Sequence, residues 1–135
     1  MSSLRWSELV EVVRQSGQYL SESEAERVIR IVLSALGGHV HGDVRDELAS
    51  RLPEEAGRLV ATQLPATRRL TAAQFVDSVA ARILGATPAT ARWDVTSVLS
   101  VLPKAVGNEV IDQVLEQLSS GYALLFGRAD LTLAT

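Results

Sequence analysis

A chain of 135 residues, 47% apolar but only 4% aromatic, is long enough for one domain, with a core of Leu, Val, Ile and Ala. The absence of cysteine excludes disulfides, thiolate metal sites and cysteine nucleophiles. Thirteen basic and sixteen acidic residues leave a net charge of −3, and the basic ones are scattered, unlike a nucleic-acid-binding face.

In chain order, the segment MSSLRWSELVEVVRQ has neither a basic leader nor an unbroken apolar stretch, so no signal peptide is expected. Helical periodicity predicts a first helix over about Trp6 to Gln18, with Leu9, Val10 and Val13 inward. Ser21 and Glu24 form a capping-box pattern ahead of a second helix, about Ser23 to Leu36, with Ala25, Ile29, Val32, Leu33 and Leu36 inward. Its apolar centre VIRIVLSAL is broken by Arg30 and too short to span a bilayer, so a soluble, cytoplasmic protein is expected. A third helix follows over about Asp43 to Arg51. Pro53 with Glu54 and Glu55 then opens a short fourth helix reaching Thr62.

Residues 63–69 read as a proline-containing connector. Beyond it, Thr71 and Gln74 form a second capping box, opening a helix over about Ala72 to Leu84. Thr87 and Pro88 start another, to Leu102, as N-cap and first-turn proline. Two more are predicted over about Glu109 to Gln117 and Ser120 to Phe126. Residues 128–135 form a tail whose Leu131 and Leu133 either dock on an apolar surface or fray. No segment alternates as a strand does.

These elements repeat. Placing Leu4 to Val60 above Leu70 to Phe126, at an offset of 66 residues without gaps, aligns Val10 with Val76, Val13 with Val79, Ala25 with Ala91, and Leu33 with Leu99. Asp46 meets Asp112, Leu52 meets Leu118, and the helix-start signals fall at matching places. The expected fold is all-α: about eight helices in one domain, with a four-helix unit duplicated about a pseudo-twofold axis. Repeat one covers 4–62 and repeat two covers 70–127.

The two capped helices ending VLSAL and VLSVL, followed by DVRDELASRLPEEAGRLV and by GNEVIDQVLEQLSSGYALLF, resemble the bacterial family known as domain of unknown function 2267. The resemblance covers about residues 4–127 and implies a compact helical fold, with no activity and no catalytic residues to carry across. Ser119 in place of Pro53 and the glycine-rich GGHVHGD depart from the pattern.

His39, His41 and Asp43 are the weak candidates for a metal site, since imidazole and carboxylate both bind zinc. A site needs more converging ligands than these. Their counterparts Ala105, Gly107 and Glu109 form the same turn without histidine, so an exposed inter-helix turn is expected, with Gly42 and Asn108 as N-caps. Serines lack a nucleophile elbow, Gly37-Gly38 reads as a helix stop, and Arg68-Arg69 as hydrated connector cations.

Differences between the copies carry more information, because the fold does not require them. Trp93 replaces Arg27 on the outer face of a helix, where it either packs between copies or meets a partner. Trp6 reads as core edge. Ile111 and Leu115 replace Arg45 and Ala49, giving a wide apolar face that is either central or covered by another subunit. The leading expectation is a non-enzymatic interaction or regulatory protein that self-associates or binds a protein partner through Trp93, Ile111 and Leu115. The alternative is a small-ligand-binding protein with a pocket between the copies, lined by aliphatics and one or two arginines. No cofactor, nucleic acid or membrane partner is expected.

Overall fold

The computed structural model describes residues 4–128; Leu131 and Leu133 of the tail lie outside them. Nine helices occur among the described residues: α1 (Trp6–Gly17), α2 (Glu22–Gly37), α3 (Gly42–Arg51), α4 (Glu54–Ala61), α5 (Ala72–Ala80), α6 (Pro88–Leu99), α7 (Leu102–Val106), α8 (Asn108–Gln117) and α9 (Tyr122–Leu125). The described residues contain no strand, so the fold is all-α. None of these helices is long and apolar enough to cross a membrane.

The start signals act where the sequence places them. Ser21 accepts from the Glu24 amide at 3.2 Å, Thr71 and Gln74 exchange both capping-box bonds, and Thr87 accepts from the Thr90 amide. Two N-caps lie one residue earlier than expected. His41 and Gly107 precede α3 and α8, and neither caps with a side chain.

The helix count exceeds the expected eight because the sixth helix divides. It ends at Leu99, and a separate short helix begins at Leu102 with Pro103 in its first turn. Proline has no N–H to continue the ladder and disfavours helical geometry in the residue before it. Helix α5 stops at Ala80 and gives way to i→i+3 turns through Ile83. Leu84 there is fully exposed, so a longer helix would bury nothing. Gly121, with φ 99°, likewise delays α9 until Tyr122.

Helices α2 and α6 pack against each other at the centre, burying Val32, Leu33 and Leu36 of one and Val95, Val98 and Leu99 of the other. Around them the contacts are reciprocal under the 66-residue offset that relates the helix starts Trp6 and Ala72, Glu22 and Pro88, and Gly42 and Asn108. Helix α1 packs on α6 as α5 packs on α2, and α3 meets α8. That is the rule of an isologous interface, realised here within one chain.

Helix α4 sits close to both α2 and α3 because two glycines allow it. A Cβ on Gly57 would collide with the Ala49 carbonyl, and one on Gly37 with the Val60 carbonyl. Arg45 then satisfies the exposed ends of two of these helices. Its guanidinium donates to the Gly37 carbonyl at 3.1 Å and to the Ala61 carbonyl. The core is less purely aliphatic than expected. Tyr122, Phe75 and Phe126 are the largest fully buried side chains, and all three belong to the second half.

Candidate functional site

Helix α2 ends at Gly37, and the His39 amide still bonds to the Leu36 carbonyl at 2.9 Å. The chain then runs extended, with His41 at φ −128° and ψ 158°. Val40 is fully buried, His39 beside it is half-buried and His41 is exposed. They line a cleft of about 190 Å³. Its other walls are Ala66 to Leu70 of the connector and Gln117 to Ser119 at the corner after α8.

Hydrogen bonds between distant segments hold these walls. The Ala66 amide donates to the Gly38 carbonyl at 2.8 Å, fastening the connector to the end of α2. The Gln117 side-chain amide grips the His41 backbone in both senses, accepting from its N–H at 2.8 Å and donating to its carbonyl at 3.1 Å. Ser119 and Tyr122 both donate their hydroxyls to the Leu70 carbonyl, at 3.3 and 3.0 Å. An aromatic row forms beneath: His39 meets Phe75 edge-on at 5.8 Å, and Phe75 meets Tyr122 at 5.6 Å.

The electrostatics are one-sided. Arg68, Arg69, His39 and His41 line the cleft, and no carboxylate does. Neither arginine forms an ion pair with another described residue, whereas the arginines of α1 to α4 mostly do. Burial holds the His39 imidazole below its ordinary range, and the charges of His41 and Arg82 push the same way. Burial pushes the Tyr122 phenol up to about 12, while the Arg69 charge pulls in the opposite direction.

The histidine turn is therefore not the exposed loop expected. His39 is half-buried against Phe75, and His41 alone is exposed. Nor does the second copy form the same turn: α7 occupies the place of residues 36–40. Asp43 is exposed, and among the described residues no three of His, Asp and Glu converge as metal ligands.

The apolar residues of copy two fall elsewhere. Ile111 is fully buried by the chain itself, where α8 packs on α3 and α7, so it presents no surface to a partner. Leu115 is half-buried against the same core. Trp93 is 54% exposed, but its indole N–H donates to the Gly17 carbonyl at 3.0 Å, closing the end of α1. Next to it Tyr19 donates to Asp94 at 2.6 Å, and the Ser97 hydroxyl donates to the Trp93 carbonyl at 2.7 Å. Trp93, Asp94 and Ser97 stand where the first copy has Arg27, Val28 and Ile31. Trp6 sits at the core edge with the Arg30 guanidinium 5.1 Å above its ring.

Sequence reasoning missed Gln117, Ser119 and Tyr122, and left Arg68 and Arg69 as hydrated cations. Their signal lies in the repeat. Phe75, Gln117, Ser119 and Tyr122 stand where the first copy has Leu9, Arg51, Pro53 and Ala56. The differences collect around one cleft.

Comparison with curated proteins finds no match to the chain. A family model described as an uncharacterized conserved protein, DUF2267, matches residues 6–125, nearly all of the described helical domain. The chain belongs to the DUF2267 family.

Proposed function

We propose that this chain is a regulatory protein that binds a small anionic ligand in the cleft between its two halves. The observation that carries this reading is the cleft itself, where Arg68, Arg69, His39 and His41 meet with no carboxylate on the walls. Positive groups gathered in a concave site attract an anion more strongly than the same groups spread over a surface; here Arg68, Arg69 and His41 are exposed and His39 is half-buried. The reading is binding rather than catalysis, because the Ser119 and Tyr122 hydroxyls donate to the Leu70 carbonyl and no wall hydroxyl is held by a base. Walls drawn from the first half, the connector and the second half make ligand occupancy a natural brace between the halves. Burial of Ile111 moves the reading away from self-association through that face.

Isothermal titration of the full chain with inorganic phosphate tests it. Binding in about the millimolar range is expected for a bare ion. It should be lost when Arg68 and Arg69 are both changed to Ala. A saturating anion should also raise the thermal midpoint of the wild type, as ligation of the folded state requires. Equal binding by the double variant, or none by the wild type, overturns the proposal.

A further inference from the structure

We infer that the cleft takes a tetrahedral dianion, a phosphoryl or sulfuryl group, and that His39 takes up a proton as the group binds; this rests on the anion-binding reading above. The donor inventory selects the ligand class. Gln117 spends both ends of its amide on the His41 backbone, and the Ser119 and Tyr122 hydroxyls both donate to Leu70. The side-chain donors left free on the walls are the Thr67 hydroxyl and those of Arg68, Arg69, His39 and His41. Two guanidinium forks and two imidazoles supply more charge and more N–H groups than a single carboxylate can accept. A tetrahedral oxyanion, with oxygens in every direction, uses them. The size agrees: about 190 Å³ is below the roughly 300 Å³ at which drug-sized ligand sites begin, so the cleft holds a headgroup rather than a whole cofactor.

The proton follows from what surrounds His39. Its own turn presents His41, α5 presents the Phe75 ring, and the segment after α5 presents the Arg82 charge. The connector presents Arg68 and Arg69, and the corner after α8 presents Gln117, Ser119 and Tyr122. Burial, with the charges of His41 and Arg82 adding to it, makes the unliganded cleft favour the neutral imidazole, and no carboxylate on the walls opposes them. A dianion seated among them reverses the local potential and favours the imidazolium, which adds a charge-assisted donor to the ligand. Affinity must then rise as pH falls through the imidazole range.

Sulfate is the discriminating probe, because it stays doubly charged from pH 5 to 8 and any pH dependence belongs to the protein. Titrations of the full chain at constant ionic strength should show sulfate affinity rising about five- to sevenfold from pH 8 to pH 5.5. That is the linkage ratio for an imidazole whose pKa the ligand raises by about one unit. Paired buffers of different ionisation heat should report proton uptake near pH 6. His39→Gln should flatten the pH profile whatever it does to the pH 8 affinity, whereas His41→Gln should keep most of the slope. The His39 ring signals in the NMR spectrum of the wild type give the same answer without a variant, and their midpoint should move up when sulfate is added. Phenyl phosphate binding at least tenfold more tightly than phosphate identifies the group as the end of a larger molecule, and parity identifies the free ion; both support the inference. Sulfate bound equally at every pH, or a slope that survives His39→Gln, overturns it while leaving the anion site intact. No binding of sulfate, phosphate or phenyl phosphate at any pH overturns both.

Discussion

Trp93 offers the sharpest test of how the two halves are joined. With 54% of the residue exposed, about half of an indole's roughly 200 Å² is in contact with the rest of the chain. At about 25 cal/mol per Å², that contact contributes about 2.5 kcal/mol. The bond from its indole N–H to the Gly17 carbonyl adds about 1 kcal/mol, since it satisfies an acceptor at the end of α1 that has no helical partner. Trp93→Phe keeps most of the contact and loses the bond, so it should cost about 1 kcal/mol. Trp93→Ala loses both and should cost about 3.5 kcal/mol. Urea denaturation followed by circular dichroism measures these losses as shifts in midpoint at constant slope. Light scattering on the same samples should give one mass for all three proteins. A Trp93→Phe midpoint equal to the wild type would refute the bond. A fall in mass on Trp93→Ala without loss of stability would assign the ring to a second copy instead.

Two further outcomes follow from the packing. Gly57→Ala would gain about 1 kcal/mol of helix propensity in an open helix, but the added carbon meets the Ala49 backbone, and overpacking costs about 1–3 kcal/mol. A net loss of stability is expected in the same urea assay, and a gain would mean that α3 and α4 can move apart freely. Asp94 tests the Tyr19 contact through pH. Burial, with a smaller push from Glu24, raises its carboxyl above the ordinary value, against the pull of the Tyr19 bond. A raised folded pKa stabilises the fold below the unfolded value of about 3.9 and loses that contribution as pH rises through the folded value. Asp94→Asn should therefore gain on the wild type between pH 3.5 and pH 7, and a gap that moves the other way would show the ionised carboxylate to be the favoured form.

Most of the helical architecture is legible in the chain because local signals and long-range pattern agree. Thr71 with Gln74, Ser21 with Glu24, and Thr87 with Pro88 start helices where the apolar stripes begin. What the pattern misses are the places where one residue overrides its neighbours. Pro103 divides a stripe that reads as continuous from Ala91 to Leu102. Leu84 looks like the last apolar turn of α5 but has no surface to cover. Ile111 widens an apolar face whose cover is α3 and α7 of the same chain, an arrangement that periodicity cannot reveal. The cleft is harder still to read, because its walls come from residues as far apart as His39 and Tyr122. Repeat alignment gives each difference singly. Only packing brings them to one place.

The differences between the halves fall into two groups, and their chemistry separates them. Around Trp93, each polar side chain gained by the second copy meets a partner: the indole meets Gly17, Asp94 meets Tyr19, and Ser97 meets the Trp93 carbonyl. That group is complete within the fold, and its role is to fit one half to the other. Around His39 the Gln117, Ser119 and Tyr122 side chains also meet partners, yet the cations do not. Gln117, Ser119 and Tyr122 fix the walls, while Arg68 and Arg69 stand beside two imidazoles with no described carboxylate to pair them. Like charges held together raise the free energy of the unliganded chain, and the second copy has the uncharged Ala105 and Gly107 at the positions that align with His39 and His41. A cluster that its own neighbours do not neutralise is the feature on which the proposed anion site rests.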